Sequence, residues 1–186
     1  MQLINSLFGG VDQPIINFFL ASRVSLGIKL FSAVSWLGEW TLIVPLTFAV
    51  VALFWLKNKK AYVIPFLTAV LGGEISGQFL KFIIQRPRPL DGLEAENTFS
   101  FPSGHALIAV TFYGFLIYYF WRTAKSQAQK YLSLLLGIIL ILIIGFSRLY
   151  LGVHYFSDVI ASYLLGFIWL WIGIYLAKKR QTGAEL

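Results

Sequence analysis

Long apolar stretches, separated by short polar segments, dominate this chain from residue 41 onwards. A helix needs about 20 predominantly apolar residues to cross the hydrocarbon core of a bilayer. Five stretches approach or meet that length and predict membrane-spanning helices: residues 41–56, 61–80, 106–121, 131–150 and 155–177. The predicted fold is therefore all-α, a polytopic transmembrane helical bundle.

The N-terminal segment before these stretches has a more mixed pattern. In residues 1–22 the apolar positions are interrupted by polar residues such as Asp12 and by Pro14, which is typical of an amphipathic helix at the membrane interface. Residues 24–38 are apolar but short and contain Lys29, which predicts a second interfacial or partly inserted helix. A tilted span over 24–38 is the alternative, so the pattern allows five or six spans.

Composition supports an integral membrane protein, because 58% of the residues are hydrophobic and only 12% are charged. We expect one membrane domain over residues 1–186, with N-terminal helices in 1–40, the transmembrane core in 41–177 and a tail in 178–186. The absence of cysteine excludes disulfides and thiolate metal ligands. No basic stripe with interleaved aromatics accompanies the net charge of +7, so nucleic acid is not an expected partner.

Basic residues in the connecting segments predict the orientation of the bundle. Lysine and arginine accumulate in short cytoplasmic loops. If the five spans alternate, nine basic residues fall on one side: Lys57, Lys59, Lys60, Arg122, Lys125, Lys130, Lys178, Lys179 and Arg180. That side is predicted to be cytoplasmic, which brings residues 81–105 and 147–158 together at the extracytoplasmic face.

The segment 147–158, SRLYLGVHYFSD, places titratable side chains between two apolar stretches. Such groups near the bilayer are costly and indicate a functional site. His154 and Asp158 are four residues apart, so in a helix the carboxylate can accept one imidazole N–H and leave the other nitrogen free to attack. Arg148 precedes them at the end of a span, and Gly152 supplies the turn. The structural alternative is a satisfied histidine and aspartate pair in the core.

The segment 81–89, KFIIQRPRP, gathers positive charge at the end of the second span. Pro87 and Pro89 should end the helix and place Arg86 and Arg88 across its opening. Lys81 lies about one turn inside that end. Guanidinium groups bind phosphate oxygens well, although lipid headgroup contact is the alternative interpretation.

The segment 101–106, FPSGHA, begins the third span with the features of an anion site. Ser103 can cap the helix, and Gly104 allows the backbone to approach a ligand closely. Free N–H groups at a helix N-terminus favour a phosphate. His105 in this first turn could protonate a leaving oxygen. An ordinary cap with an incidental histidine is the alternative, but both histidines of the chain lie in such motifs.

Together, K-x6-R-P at residues 81–89, P-S-G-H at 102–105 and S-R-x5-H-x3-D at 147–158 resemble the three signature motifs of the type-two phosphatidic acid phosphatase superfamily, which also contains vanadium-dependent haloperoxidases. The resemblance implies that His154 is a nucleophile forming a phosphohistidine, that Asp158 orients it and that His105 is the general acid. It further implies phosphate ligands at Lys81, Arg88, Ser103, Gly104 and Arg148. No metal and no cofactor are expected. Arg86 lies outside the motif spacing and is a secondary candidate.

The expected function is therefore that of a lipid phosphatase in the cell membrane, with its active site extracytoplasmic. Its substrate would be a lipid phosphomonoester or pyrophosphate, such as undecaprenyl pyrophosphate, phosphatidylglycerol phosphate or phosphatidic acid. A non-catalytic phospholipid-binding or transport protein is the alternative, but binding alone needs cations and no histidine and aspartate pair. A lipid-embedded site argues against haloperoxidase chemistry.

Two further acidic features have weaker interpretations. Glu74 shares a helix face with Lys81 and either anchors it or packs within the bundle. The loop 90–100 carries Asp91, Glu94 and Glu96, and could be a lid over the cationic site or an ordinary solvated loop.

Overall fold

This computed structural model describes residues 2–90, 92–93 and 98–182. The regular secondary structure in these residues is helical. The chain begins with α1 (Gln2–Ser22), α2 (Ser25–Trp36) and α3 (Trp40–Leu56). A short 3-10 helix (Lys60–Tyr62) leads into α4 (Val63–Ile84). The last three helices are α5 (Gly104–Thr123), α6 (Gln127–Tyr150) and α7 (Phe156–Thr182).

Five helical segments are long and apolar enough to cross a membrane. They are Ser25–Leu56, Lys60–Ile84, Gly104–Thr123, Gln127–Tyr150 and Phe156–Gln181. The predicted all-α bundle with five spans is thereby confirmed. Exposed leucine, isoleucine and phenylalanine side chains cover much of its outer surface, as expected for helices that face lipid rather than water.

The segment Ser25–Leu56 is divided by a turn at residues 37–39, so α2 and α3 are separate helices. Both ends of α2 lie against the C-terminal turns of α6. The Val24 amide donates to the Tyr150 hydroxyl at 3.1 Å, and the Ser35 hydroxyl accepts a hydrogen bond from Arg148. Helix α2 is therefore a short helix at one end of the bundle and does not add a sixth span.

Helix α1 lies across the same end of the bundle. Its Phe19 ring contacts Phe146 and Tyr150 of α6 edge-on, with centroid distances of 5.2 and 6.1 Å. Its Asp12 carboxylate reaches the first turn of α7 and accepts a hydrogen bond from the Ser157 amide at 2.9 Å. These contacts pack α1 against both α6 and α7, while the interfacial position of residues 1–22 stays a prediction.

Glycines allow α4, α5 and α7 to pack closely. A Cβ on Gly173 of α7 would lie 2.8 Å from the Pro65 carbonyl oxygen of α4. A Cβ on Gly77 of α4 would lie 2.6 Å from the Leu107 side chain of α5. Small residues at such contacts let membrane helices approach through van der Waals packing. The first contact lies near the start of α4 and the second nearer its end, so close packing fixes the register of the three helices over most of their length.

The helix ends follow from local backbone chemistry. Helix α4 stops before Gln85, which adopts a left-handed conformation with φ of 50°, and Pro87 and Pro89 follow it. The turn between α6 and α7 uses Gly152 with φ of 67°, a conformation that glycine adopts without steric cost. Both turns lie at the end of the bundle that also carries the start of α5.

Candidate active site

Residues from all three sequence motifs meet in one cavity of about 1000 Å³. Its polar end is lined by Glu39, Lys81, Gly104, His105 and His154. Its remainder is mostly apolar and runs between α3 and α4. The structure therefore combines a charged pocket with an apolar groove in a single space.

His154 follows the Gly152 turn and is 1% exposed. Its Nδ1 lies 3.5 Å from Asp158 Oδ2, and its Nε2 lies 3.0 Å from Arg88 Nη1. A guanidinium can only donate, so Nε2 must accept from Arg88 in this arrangement. The neutral ring then carries its proton on Nδ1, facing Asp158, and its lone pair on Nε2. This is the tautomer required for attack by Nε2.

Asp158 is fully buried in the first turn of α7. Its Oδ2 accepts a hydrogen bond from the Tyr155 amide at 3.0 Å. Its Oδ1 accepts one from Arg86 Nη1 at 2.6 Å. Both carboxylate oxygens are thus held by other groups, which fixes the oxygen that faces the histidine ring.

Arg86, the secondary candidate for phosphate binding, is 1% exposed and belongs to a buried ion network. Its Nη1 also donates to Ser157 Oγ at 2.7 Å, and its Nη2 lies 2.7 Å from Asp12 Oδ2. Its guanidinium carbon lies 3.9 Å from the centre of the Tyr155 ring. Burial raises the pKa of the Tyr155 phenol, so this ring stays neutral beneath the cation. Arg86 therefore supports Asp158 and does not face the cavity.

Lys81 and Arg88 supply positive charge next to His154. Lys81 Nζ donates to the Phe99 carbonyl at 2.5 Å. Arg88 Nε donates to the Thr98 carbonyl at 2.8 Å, and its Nη1 donates to the Val153 carbonyl at 2.8 Å. These carbonyls hold the two side chains, so that a group bonded to His154 Nε2 would lie within reach of the Arg88 guanidinium.

Ser103 occupies the N-cap position of α5, but its hydroxyl does not cap the helix. The prediction of a side-chain cap is therefore wrong. The Oγ atom is buried without a hydrogen-bond partner, although such groups are usually paired in folded proteins. Beside it, the space around the Cα of Gly104 is open. Hydroxyl and open backbone together form a place where an anion could accept hydrogen bonds.

His105 pairs with a carboxylate that the motifs did not include. Its Nε2 lies 3.1 Å from Glu39 Oε2, in the turn between α2 and α3. Glu39 also caps α3, since its Oε1 accepts a hydrogen bond from the Trp40 amide at 3.2 Å. In the sequence, the only indication of this role was that Glu39 is an isolated acidic residue between two apolar segments.

Arg148 is fully buried near the end of α6 and donates a hydrogen bond to the Ser35 hydroxyl of α2. It is not among the described residues that line the cavity. The hydrogen bond to Ser35 ties α2 to α6.

The remaining acidic predictions have mixed outcomes. Glu74 accepts a hydrogen bond from Gln78 at 2.7 Å, and both side chains line the cavity. Asp91, Glu94 and Glu96 of the proposed lid lie outside the described residues. Within the described part of the chain, no three His, Asp or Glu side chains are grouped as metal ligands.

Fold and site define a helical membrane protein with a cationic pocket that opens into an apolar groove. A family model for the PAP2 superfamily matches residues 62–182. The chain belongs to the PAP2 superfamily, and its relatives support its assignment as a lipid phosphatase of that group.

Two curated relatives are informative. The chain is 29% identical to phosphatidylglycerophosphatase B of Bacillus subtilis over 75% of its own length and 70% of the relative. It is 36% identical to undecaprenyl-diphosphatase of Sulfolobus acidocaldarius over 65% of its own length. It spans only 54% of that second protein.

Two solved structures share the fold. The first transmembrane PAP2-type phosphatidylglycerolphosphate phosphatase from Bacillus subtilis superposes with a TM-score of 0.87 at 23% identity, covering 96% of this chain and 92% of that one. Aquifex aeolicus LpxE superposes with a TM-score of 0.70 at 24% identity, covering 90% and 95%. Since α1, α2 and α3 precede the family match, the first comparison extends the shared architecture to nearly the whole chain.

Proposed function

We propose that this protein hydrolyses a phosphomonoester or pyrophosphate of a membrane lipid through a phosphohistidine on His154. The observation that carries the proposal is the pair of contacts on the His154 ring. Asp158 lies 3.5 Å from Nδ1, while Arg88 lies 3.0 Å from Nε2. A nitrogen lone pair is thereby directed to the point where a cation would hold a phosphate.

In the first step, His154 Nε2 attacks phosphorus and forms a P–N bond while the P–O bond to the lipid breaks. His105 gives its proton to the departing oxygen. In the second step, His105 takes a proton from water as the water oxygen attacks phosphorus. The P–N bond then breaks and inorganic phosphate leaves. The Glu39 carboxylate stabilises the protonated ring of His105 at 3.1 Å.

Charge on the transferred phosphoryl group needs to be neutralised in the transition state, because positioning and electrostatics dominate this reaction. Lys81 and Arg88 supply two cations beside the nucleophile. Ser103 supplies an unpartnered hydroxyl, and Gly104 leaves room for an oxygen next to the backbone. We assign these four residues, together with Arg148, to phosphate binding. The reaction as written uses no metal.

The apolar groove supports a lipid substrate. Its walls are Ile43, Val44, Phe48 and Val51 from α3 with Leu67, Val70 and Leu71 from α4. The same cavity contains His105 and His154 at its polar end. A phosphorylated lipid could therefore keep its chain between two membrane helices while its phosphate reaches the histidines.

Charge distribution supports an extracytoplasmic site. Helices α4 and α6 end near the site, while α5 and α7 begin there, so the loops rich in lysine and arginine lie at the opposite end of the bundle. Those loops mark the cytoplasmic side by the positive-inside tendency. Among lipids that present phosphate at the outer face, we propose undecaprenyl pyrophosphate, phosphatidylglycerol phosphate and phosphatidic acid as candidates. The names of the two curated relatives support the first two.

The direct test is phosphate release by the purified protein from each of these three lipids in detergent micelles. We expect release from at least one lipid in the presence of EDTA and inhibition by vanadate, which occupies phosphoryl-transfer sites. Binding of the lipids without any release would instead indicate a phospholipid-binding or transport protein. Loss of activity in EDTA, restored by a divalent cation, would contradict the metal-independent reaction.

Glu39→Gln is expected to lower kcat by about tenfold and to move the basic limb of the pH profile to lower pH. The carboxylate favours the protonated form of His105, so its loss lets the general acid deprotonate at lower pH. The pH dependence of kcat measures this effect. Glu74→Gln, which removes a carboxylate from the same cavity, should leave the basic limb in place. An unchanged limb in Glu39→Gln would contradict the pairing.

Ser103→Ala is expected to raise KM by about tenfold and to leave thermal stability unchanged or slightly higher. Its hydroxyl is buried without a partner, so the fold loses no hydrogen bond when it is removed. A bound phosphate would lose one donor. Steady-state kinetics and a thermal melt in detergent measure the two effects. A destabilised variant with unchanged KM would assign the hydroxyl to the fold instead.

A further inference from the structure

The mechanism leaves one buried carboxylate unused. Asp12 lies in α1 and is only 2% exposed, although α1 lies outside the family match that begins at residue 62. Burying a charge is costly unless it is paired and hydrogen-bonded. A buried carboxylate on this helix therefore requires a partner of opposite charge.

The partner of Asp12 connects it to the nucleophile. Asp12 Oδ2 lies 2.7 Å from Arg86 Nη2, and Arg86 Nη1 lies 2.6 Å from Asp158 Oδ1. Asp158 Oδ2 in turn lies 3.5 Å from His154 Nδ1. All four side chains are at most 2% exposed. Asp12 is thus connected to the His154 ring through a chain of three contacts between buried side chains.

Ser157 fixes the geometry of this chain of contacts. Its amide donates to Asp12 Oδ1 at 2.9 Å and its hydroxyl donates to Asp12 Oδ2 at 2.6 Å. The same hydroxyl accepts from Arg86 Nη1 at 2.7 Å. Since Ser157 directly precedes Asp158, these bonds position α1 against the turn that carries the His154 partner.

Charge balance explains why two carboxylates share one guanidinium. With Asp12, Arg86 and Asp158 all ionised, the group carries a net charge of −1 behind the His154 ring. That charge stabilises the positive charge that the ring gains when Nε2 bonds to phosphorus. Without Asp12 the group would be neutral, because the positive charge of Arg86 would cancel the negative charge of Asp158 behind the ring.

We infer that Asp12 is a positioning residue, through which the interfacial helix α1 sets the charge behind the nucleophile His154. The effect of Asp12 on catalysis rests on the proposed function, but its effect on the titration of the His154 ring does not.

Other charged groups near that ring come from different elements: Lys81 and Arg88 from α4 and the segment after it, His105 from α5 with its partner Glu39, and Arg148 from α6. None of them is altered by a substitution in α1.

The test measures the titration of the His154 ring by NMR on histidine-labelled protein in detergent. The chain has only two histidines, so a His105→Gln background leaves one signal. In that background, Asp12→Asn should lower the titration midpoint by about one pH unit, and Arg86→Gln should raise it by a similar amount. The double variant Asp12→Asn/Arg86→Gln restores a net charge of −1 and should titrate near the starting protein.

A purely structural role for Asp12 predicts the opposite pattern, in which the double variant departs furthest from the starting protein. That pattern, or a midpoint unmoved by Asp12→Asn, would overturn the inference. If a single variant does not fold, the double variant, which keeps the net charge of −1 on Asp158, still distinguishes the two. Phe19→Leu provides the control, because it loosens the packing of α1 on Phe146 and Tyr150 and should leave the midpoint unchanged.

The catalytic consequence is measured separately on the wild-type background. Asp12→Asn should lower kcat by about tenfold and move the acidic limb of kcat/KM to lower pH, whereas Asp12→Glu should restore the limb. A wild-type protein that released no phosphate from any lipid would contradict the proposed function, while the NMR titration would still decide the role of Asp12. An active Asp12→Asn protein with an unmoved acidic limb would contradict the inference alone.

Discussion

His154→Ala is expected to lower phosphate release from the lipid substrate by at least about 10³-fold without unfolding the protein. The substitution removes the nitrogen that would bond to phosphorus. Phosphate binding should persist, because Lys81, Arg88 and Ser103 remain in place. The measurement is kcat on purified protein, together with vanadate or phosphate binding.

The fold of His154→Ala should be retained because Asp158 keeps its other partners. Its carboxylate still accepts hydrogen bonds from Arg86 and from the Tyr155 amide. Size-exclusion chromatography and a thermal melt in detergent serve as the control for folding. Substantial hydrolysis by a folded His154→Ala protein would remove His154 from the mechanism.

His105→Gln is expected to lower turnover of the lipid substrate by about 10²–10⁴-fold. The ring would act twice, first as the acid for the departing oxygen and then as the base for water. A substrate with a good leaving group needs no acid in the first step. With an aryl phosphate, His105→Gln should therefore give a burst of the released phenol followed by slow turnover, as the phosphorylated protein accumulates.

Rapid-mixing measurement of that burst distinguishes the acid role from the base role. Wild type should show the same first step with faster steady-state turnover. Equal losses for the lipid and the aryl phosphate, without a burst, would contradict His105 as the acid for the leaving group. Glu39→Gln should reproduce the pattern more weakly, since the carboxylate acts on His105 and not on the substrate.

The helices were predictable because the membrane imposes a strong rule on sequence. Backbone groups in the bilayer must be satisfied within each helix, so apolar length alone locates the spans. The turns at Gln85 and Gly152 were also local, since prolines follow the first and glycine forms the second. The path of residues 24–38 depended on contacts with α6 that are more than 100 residues away in sequence, such as Arg148 with Ser35.

The residues that meet at the site were predictable where a motif joined residue type to local spacing. His154 and Asp158 are four residues apart, and Ser103, Gly104 and His105 are consecutive. Glu39 could not be assigned in this way, because only the folded chain brings the turn before α3 to the first turn of α5.

The assignment of the arginines required the tertiary structure. Arg86 and Arg88 are separated by a single proline and are chemically identical, yet Arg86 is buried between two carboxylates while Arg88 faces His154. Their different environments depend on Asp12, which lies more than 70 residues earlier in the chain. Arg148 likewise fits the motif, but its burial and its hydrogen bond to Ser35 are visible only in the folded chain.

The most direct test of the phosphohistidine is to trap it. A lipid carrying ³²P in its terminal phosphate is mixed with wild type, His105→Gln and His154→Ala, and each reaction is quenched in alkali, in which phosphohistidine is stable. We predict label on wild type and none on His154→Ala, with mass spectrometry assigning the phosphoryl group to His154. With a ³²P-labelled aryl phosphate, whose leaving group needs no acid, His105→Gln should carry more label than wild type. Label on another residue, or hydrolysis by wild type with no trapped protein label in any variant, would contradict this mechanism.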